Sequence, residues 1–245
     1  ILLGNAAAHH AKAFSLLALA NWIGEQTGAS VGYLTEAANT VGAQLAGALP
    51  AGKGLNAGQM LDGQLKAVIL LNNEPEFDSA AGAQAKTSLN TAQMVVTLSP
   101  FKANMGFSDV LLPIAPFTET PGTFVNAEGR VQGFHAVVKP LGDARPAWKV
   151  LRVLANLLGL PGFDFESSQD VLKQIDGADA AQLPASKMGN SIQTGIELSA
   201  APAQAPVVAS IYQLDGLVRR ATSLQLTADA RRGAGLDAKL EGVVA

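Results

Sequence analysis

Residues 66–75 read Lys-Ala-Val-Ile-Leu-Leu-Asn-Asn-Glu-Pro, a short apolar run that ends in polar residues and a proline. The run at 66–71 lacks the period-two alternation of a half-exposed strand, which predicts a strand buried on both faces, as in a parallel sheet. Asn72, Asn73 and Glu74 then lie at the carboxyl end of that strand, where open α/β sheets hold ligands. A side-chain-capped turn stopped by Pro75 is the simpler interpretation of the same residues.

Similar short runs recur along the chain and alternate with longer stretches rich in Ala and Leu. Further strands are predicted at residues 1–3, 30–34, 94–98 and 109–114. Helices are predicted at 11–26, 79–89, 146–158 and 168–175. The first of these should end at Gly28 and be buried, because its apolar residues are not confined to one stripe. The alternation predicts an α/β fold, a Rossmann-like and mostly parallel sheet with helices on both faces.

The C-terminal part of the chain has a different composition. Beyond Gly177, Ala, Gln, Ser and Pro dominate, which predicts a linker or extended arm at residues 177–210 after an α/β domain at 1–176. Residues 211–245 are interpreted as a docking tail that is extended and partly helical. Apolar residues at helical spacing return there: Ile211, Leu214, Leu217 and Val218. Arg219 and Arg220 follow them, and we expect these arginines to pair with acidic groups.

Overall composition limits the possible functions. With 17 basic and 20 acidic residues the net charge is −3, which disfavours a nucleic-acid partner. The longest strongly apolar stretch, residues 14–23, is shorter than the ~20 residues that cross a bilayer, which predicts no direct membrane insertion. The absence of cysteine means that this chain supplies no thiolate to an iron–sulfur cluster. Because the sequence opens at Ile1 inside an apolar run, we interpret it as an N-terminally truncated fragment.

Two further candidate sites near the N-terminus are weak on the residues alone. Gly4 and Asn5 fall between a predicted strand and helix, where α/β proteins bind anions, but the local sequence does not match the GxGxxG dinucleotide pattern. His9 and His10 are adjacent, so on a helix they point about 100° apart and do not converge on a metal. We therefore predict no metal site and no catalytic residue, and expect capping or solvent contacts for both histidines.

The most specific pattern is at residues 118–132, Thr-Glu-Thr-Pro-Gly-Thr-Phe-Val-Asn-Ala-Glu-Gly-Arg-Val-Gln. It resembles the Glu-x-x-Gly-Thr-x-x-Asn-x-Glu-x-Arg signature of the molybdopterin oxidoreductase superfamily, which includes formate dehydrogenases and nitrate reductases. Residues 108–113 and 140–148 resemble the segments that flank this signature. The resemblance covers most of residues 1–160 and implies the third, Rossmann-like domain of that superfamily.

The motif residues are expected to act structurally. Gly122 permits a sharp turn, and Arg130 offers a fork for a carboxylate. The full predicted set is Glu119, Gly122, Thr123, Asn126, Glu128 and Arg130.

Two other stretches, residues 71–78 and 218–225, resemble the peripheral-arm iron–sulfur subunit of bacterial NADH-quinone oxidoreductase, the respiratory complex I, that contains a domain of this superfamily. That resemblance implies iron–sulfur clusters in domains that precede Ile1. It also implies partners among the other peripheral-arm subunits and a cytoplasmic location peripheral to the inner membrane. Catalytic relatives have Gly-Glu-Asn-Pro where this chain has Asn72-Asn73-Glu74-Pro75.

Two hypotheses of function follow from these resemblances. In the first, the chain is a cofactor-free scaffold domain of that complex I subunit with no activity by itself, and vestiges of a cofactor site remain at Gly4, Asn5, Asn72, Asn73 and Glu74. In the alternative, it is part of an active molybdenum or tungsten oxidoreductase such as a formate dehydrogenase. Gly4, Asn5, Asn72, Asn73 and the loop at 99–104 then contact a molybdopterin dinucleotide. The sequence upstream of Ile1 discriminates between the two hypotheses, because cluster-binding cysteines favour the scaffold and a metal-ligating Cys or Ser favours the enzyme.

Overall fold

A computed structural model of the chain describes residues 1–63, 65–175, 177, 181–199 and 210–233. The described residues form two compact units. Of the described residues, the first unit comprises those within 1–56, 98–101 and 112–199, and the second comprises those within 57–97, 102–111 and 210–233. Much of the predicted linker at 177–210, and the tail beyond residue 233, lie outside the described residues, so the predicted domain boundaries stay predictions.

Each of the five predicted strand regions contains a strand. These are β1 (Leu2–Leu3), β2 (Gly32–Tyr33), β3 (Ala67–Leu71), β4 (Met94–Ser99) and β5 (Val110–Pro113). β1 pairs with β2 in parallel, with Leu2 opposite Gly32 and Leu3 opposite Tyr33. β3, β4 and β5 form a sheet in that order, and β6 (Gly122–Val125) pairs antiparallel with β7 (Val131–Phe134). The α/β fold with parallel strands is confirmed, although its strands divide into separate sheets.

Burial along the strands follows their place in the sheet. β4 lies between two neighbours, and its residues Val95, Thr97 and Leu98 are fully buried. β3 lies at the edge, where Leu70 is buried while Ile69 and Leu71 are exposed, so the predicted burial of both faces holds for β4 and not for β3. Leu70 and Val95 form a core cluster with Leu89, and removing such surface from water is the main stabilising contribution.

The helices of the first unit are α1 (Asn5–Ala8), α2 (Ala13–Thr27), α3 (Thr40–Leu45), α7 (Ala147–Leu157) and α8 (Ser168–Leu172). They include the three predicted there, at 11–26, 146–158 and 168–175, and two short helices, α1 and α3, that are not among those predicted. α2 ends at Gly28, which adopts the left-handed conformation expected of a C-terminal glycine. Its predicted burial is wrong: the buried residues are the small ones, Ser15, Ala20 and Gly24, whereas Phe14 and Trp22 are exposed.

The second unit contains α4 (Ala57–Asp62), α5 (Pro75–Asp78), α6 (Ala83–Asn90) and a group of short C-terminal helices. The C-terminal helices are α9 (Ile211–Leu214), α10 (Gly216–Arg220), α11 (Thr222–Gln225) and α12 (Ala228–Gly233). The single apolar helical face that the sequence predicts across 211–218 is interrupted at Asp215. The Asp215 carboxylate accepts hydrogen bonds from the backbone N–H groups of Leu217 (2.9 Å) and Val218 (2.8 Å), which ends α9 and caps α10.

Candidate functional site

The loop that follows β3 carries two uncommitted amide side chains. Asn72 and Asn73 are exposed at the carboxyl end of the strand. Asn72 has φ of 50°, a left-handed conformation that Asn tolerates better than most residues. Within the described residues neither side-chain amide has a hydrogen-bond partner, so both can donate to a ligand.

The backbone of this loop is fixed from the side by a buried asparagine. The Asn104 side-chain amide donates to the Asn73 carbonyl at 2.9 Å, and Asn104 is only 2 % exposed. The Ser108 hydroxyl donates to the Asn104 carbonyl at 2.8 Å and lies 2.7 Å from the Thr97 hydroxyl. A buried chain of satisfied hydrogen bonds of this kind specifies one loop conformation.

Glu74 is the most buried charged group of the loop. Its residue is 4 % exposed, and each carboxylate oxygen accepts from a different arginine. Arg219 Nη2 lies 2.6 Å from Oε2, and Arg220 Nη2 lies 2.5 Å from Oε1. These residues are 145 and 146 positions away in sequence. Charge-assisted hydrogen bonds of this length are among the strongest that proteins make, and they satisfy a carboxylate that would otherwise be costly to bury.

Two neighbours of Glu74 complete the cluster. Asp78 Oδ2 accepts from the Glu74 backbone N–H at 2.6 Å, and Asp78 Oδ1 accepts from Arg219 at 3.1 Å. The Arg219 guanidinium also lies over the Phe77 ring, 4.7 Å from its centroid, which favours a cation–π interaction. Arg219 therefore contacts three residues of the segment from Glu74 to Asp78.

Gly4, Asn5 and Ser99, which are also among the proposed contacts, lie in the first unit and have simpler surroundings. Gly4 precedes α1 and Asn5 is its first residue; the Gly4 carbonyl accepts from the backbone N–H groups of Ala7 and Ala8, each at 3.0 Å. A Cβ built on Gly4 meets no atom within 4 Å, so the backbone there is open to close approach. Ser99 is buried, and its hydroxyl accepts from the backbone N–H of Phe101 at 3.0 Å, which orders the start of the 99–104 loop.

The signature at residues 118–132 forms a hairpin whose contacts are mainly to backbone. Asn126 Oδ1 accepts from the N–H groups of Glu128 (3.0 Å) and Arg130 (2.9 Å), and Glu119 Oε2 accepts from the N–H of Leu141 (3.0 Å). Thr123 pairs with Gly133 across the hairpin.

Two residues of this signature differ from the sequence-based expectation. Gly122 lies in β6 rather than in a turn, and a Cβ there would overlap the Phe134 ring, so its role is close approach and not a sharp bend. Arg130 finds its carboxylate in Glu128, but at 3.9 Å and with both side chains largely exposed.

A cleft of about 640 Å³ opens in the first unit near the end of α2. Asn21 and Asn190 line it, and their amides are engaged with the backbone: Asn21 donates to Asn190 and Asn190 donates to Val31, each at 2.9 Å. No residue proposed from the sequence as a site lines this cleft.

The two N-terminal histidines make separate local contacts. His9 Nε2 lies 2.9 Å from Glu36 Oε2, and His10 Nδ1 accepts from the Lys12 backbone N–H at 3.0 Å. In the described part of the chain no group of three or more His, Cys, Asp or Glu residues could hold a metal ion. Over the same residues, no helix is both long enough and apolar enough to cross a membrane.

The sequence identifies the loop, the arginines and the 99–104 segment separately, but it does not predict the pairing of Glu74 with the arginines or the contact of Asn104 with Asn73. The sequence does contain an indication of this pairing, because residues 72–78 carry three carboxylates and no lysine or arginine. A buried position for one of them requires a cation from elsewhere in the chain.

Comparison with known proteins identifies the family. Residues 4–157, well over half of the chain, match the family described as molybdopterin oxidoreductase. The chain belongs to the molybdopterin oxidoreductase family. It shares 38 % identity over 69 residues with a putative formate dehydrogenase of Staphylococcus aureus (strain bovine RF122 / ET3-1), covering 28 % of this chain and 7 % of that protein. It shares 30 % identity over 131 residues with the probable oxidoreductase YjgC of Bacillus subtilis (strain 168), covering 51 % of this chain and 13 % of the relative.

The chain thus spans about an eighth or less of the length of these relatives. Among solved structures, acetylene hydratase from Pelobacter acetylenicus aligns with a TM-score of 0.42 and 18 % identity, over 47 % of this chain and 18 % of that one.

Family membership corrects one prediction made from the sequence. The prediction is that the chain holds no cofactor, with only vestiges at Gly4, Asn5, Asn72, Asn73 and Glu74. The match to the molybdopterin oxidoreductase family across residues 4–157, together with relatives named as putative formate dehydrogenases, contradicts that expectation, because a molybdopterin-type cofactor is what this family indicates. The departure at residues 72–75 does not remove donor groups, because the exposed Asn72 and Asn73 side chains have no hydrogen-bond partner among the described residues.

Proposed function

We propose that this chain is a cofactor-binding segment of a molybdopterin-dependent oxidoreductase related to the formate dehydrogenases. The observation that carries the proposal is the pair of uncommitted, exposed amides of Asn72 and Asn73 at the carboxyl end of β3, in a chain of this family. Ligands of open α/β sheets lie at this end of the strands.

The residues present fit a phosphate-bearing pterin ligand by their donor chemistry. Asn72 and Asn73 offer four N–H donors between them, and an amide donor suits a phosphate or a pterin carbonyl oxygen.

The bound cofactor would supply the redox chemistry, since its metal exchanges electrons with the substrate. This chain's residues would bind and orient the organic part of the cofactor. Because the chain contains no cysteine, any thiolate ligand of the metal must come from another part of the enzyme.

Charge substitution at the two asparagines tests this proposal. Asn72→Asp and Asn73→Asp keep the side-chain size and the tolerance for a left-handed conformation, but replace amide donors with a negative charge. In the intact protein, we expect the pterin content per polypeptide of the double variant to fall at least about tenfold below that of wild type, measured as the fluorescent oxidised pterin released on denaturation.

Asn90→Asp is the matched control, because Asn90 is an exposed asparagine of the same unit at the end of α6. This control should retain wild-type pterin content. Equal pterin content in the double variant and the control would refute a cofactor role for the loop.

A second candidate function is supported by a different observation. The two stretches that resemble the iron–sulfur subunit of complex I, residues 71–78 and 218–225, contact each other through Glu74, Asp78, Arg219 and Arg220. We propose as the alternative that the chain belongs to an NADH-quinone oxidoreductase, with the other peripheral-arm subunits as partners and a location at the cytoplasmic side of the inner membrane.

Affinity purification from the native organism distinguishes the two candidates. Co-purification of NADH-dependent quinone reduction in stoichiometric amounts favours the complex I assignment. Formate-dependent dye reduction in the purified protein, without the NADH-dependent activity, favours the first proposal.

A further inference from the structure

The loop that follows β3 has a charge that does not suit an anionic ligand. Residues 72–78 carry three carboxylates, those of Glu74, Glu76 and Asp78, and no lysine or arginine. A phosphate brought to Asn72 and Asn73 would meet three like charges, which disfavour binding. Lys86 offsets one of them, because its Nζ lies 3.2 Å from Glu76 Oε2.

The remaining two carboxylates are neutralised from the C-terminal segment. Arg219 and Arg220 bind Glu74, and Arg219 also binds Asp78. Three carboxylates are thus matched by three cations. The two arginines lie in a segment, Ser210–Gln225, that we call the C-terminal brace.

The brace is ordered by its own side chains. Ser210 caps α9 and Asp215 caps α10, and the Gln225 amide donates to the carbonyls of Tyr212 (3.0 Å) and Val218 (2.8 Å). Each of its helices is shorter than two turns, and helices of that length are not stable in water without packing. Its attachment to the loop through Arg219 therefore stabilises both partners.

The attachment also reaches the two candidate ligand residues. Glu74 follows Asn73 directly, and the Glu74 N–H is held by Asp78, which Arg219 binds in turn. The Asn73 carbonyl is held by Asn104. The backbone that presents Asn72 and Asn73 is therefore fixed on both sides, by Asn104 and by the carboxylates that the brace holds.

We propose that the brace makes the loop after β3 competent to bind a phosphate-bearing ligand, with Arg219 and Arg220 as positioning residues that cancel the charge of Glu74 and hold the loop. This inference rests on the proposed cofactor role of the loop and adds the C-terminal segment to the binding machinery. The opposing arrangement, in which the brace blocks the loop, predicts the reverse effect of the same substitutions.

Charge compensation provides the decisive experiment. The intact protein freed of cofactor is titrated calorimetrically with GDP, a nucleoside diphosphate, at low and at physiological salt. Arg220→Gln leaves Glu74 with one arginine, and we expect at least about tenfold weaker binding. The double variant Glu74→Gln/Arg220→Gln restores the charge balance and should recover affinity to within about threefold of wild type.

Two further variants make the result specific. Arg220→Lys keeps the charge and should rescue most of the affinity. Arg232→Gln is the control, because Arg232 belongs to a largely exposed pair with Asp229 at 3.8 Å in the same C-terminal region, and it should bind as wild type does. A purely structural role for Arg220 predicts that the double variant is no better than the single one, and that result overturns the proposal. Tighter binding by Arg220→Gln would also overturn it and would favour the blocking arrangement.

Hydrogen exchange separates failure of this inference from failure of the proposed function. If wild type binds no GDP and contains no pterin, the proposed function of the loop is wrong, and the ligand part of this inference falls with it. Faster exchange of residues 72–78 in Arg219→Gln then still supports the bracing contact itself. If wild type binds GDP and Arg220→Gln binds it equally well, the function stands and the brace has no part in it.

Discussion

A buried and an exposed carboxylate–arginine interaction occur in this chain, with the same chemical groups and different exposure to solvent. Glu74 pairs with Arg219 and Arg220 across 145 and 146 positions, and its side chain is 5 % exposed. Glu128 and Arg130 are two positions apart in the most recognisable motif of the sequence, yet they are 3.9 Å apart with side chains 75 % and 61 % exposed. The pair that lies within the sequence motif, Glu128 with Arg130, is the weaker one, because solvent screens exposed charges.

The difference shows that a specific sequence motif does not imply a large contribution to stability. The signature at 118–132 identifies the family, but its ion pair lies in water and its main internal bonds come from Asn126 to backbone. The cluster at Glu74 lies outside that signature and forms only when two segments that are distant in sequence meet. The burial of a charged pair, and not its place in a motif, decides how much the pair contributes to the free energy of unfolding.

Removal of the buried carboxylate should produce the largest effect. Glu74→Ala leaves Arg219 and Arg220 without their shared partner, and breaking one side of a buried pair costs about 3 to 5 kcal/mol. We expect a decrease of that size in the free energy of unfolding of the second unit, measured by urea denaturation and by exchange of the β3 and α5 amides.

The matched control for that substitution is Glu76→Ala, two residues away. Its partner Lys86 is at 3.2 Å but both side chains are substantially exposed, so the expected loss is at most about 1 kcal/mol. Equal losses at Glu74 and Glu76 would show that burial does not distinguish the two pairs and would remove the basis of the comparison.

Substitution of Asn126 should produce an intermediate effect. Asn126→Ala removes the acceptor of two backbone N–H groups, and we expect a loss of about 1 to 2 kcal/mol in the stability of the first unit. Asn126→Asp retains an acceptor oxygen at the same place and should recover most of it. A thermal or urea midpoint that is unchanged in Asn126→Ala would show that the hairpin does not depend on this side chain.

Arg130→Ala should change stability by no more than about 0.5 kcal/mol. Loss of an arginine costs a few kcal/mol where its carboxylate partner is buried and left unpaired, but Glu128 is exposed. A loss above about 1 kcal/mol in urea denaturation would contradict the weak-pair interpretation. It would also indicate that Arg130 has a second, buried contact.

Local sequence patterns predict where the helices and strands lie better than they predict which of their residues are buried. The five strands were found because apolar runs bounded by breakers have few other solutions, and α2 ends at Gly28 because a left-handed residue stops a helix. The burial of α2 was wrong, since apolar composition does not say which side faces the body. The apolar spacing at 211–218 predicts one helical face, but the Asp215 carboxylate accepts from backbone N–H groups and divides the segment into α9 and α10, a local effect that helical spacing does not show.

The candidate site was predictable in its positions and not in its connections. A polar loop after an apolar strand indicates Asn72, Asn73 and Glu74, because ligands of open α/β sheets lie at that end of the strands. The partners Asn104 and Arg220 come from distant parts of the chain, and no local spacing rule links them to the loop. The expectation of a cofactor-free chain comes from the resemblance of two short stretches to a complex I subunit, whereas the family match extends over residues 4–157.

A third carboxylate has its partner three residues away, and it gives the smallest expected effect. Asp170 accepts from the Ser167 hydroxyl at 2.7 Å and from the Ser167 N–H at 3.0 Å, which forms a capping box at the start of α8. The Ser167 hydroxyl in particular holds the pKa of Asp170 below its ordinary value of 3.8, since these hydrogen bonds favour the charged form. The lowered pKa means that the carboxylate stabilises α8 above pH 3.8 and that this contribution is lost as the pH falls through the pKa of the folded state.

Ser167→Ala should therefore raise the pKa of Asp170 towards 3.8 and speed amide exchange in α8 at neutral pH. The difference in exchange between wild type and variant should shrink as the pH is lowered below 3.8. Carbon-detected titration of the Asp170 carboxyl measures the first effect. Ser168→Ala is the matched control, because the Ser168 hydroxyl donates to the exposed side chain of Gln169 and not to Asp170. If both serine variants leave the pKa of Asp170 unchanged, the capping box does not hold this carboxylate. A contact between residues three apart, which is easy to predict from the sequence, would then be as weak here as the exposed ion pair of Glu128 and Arg130.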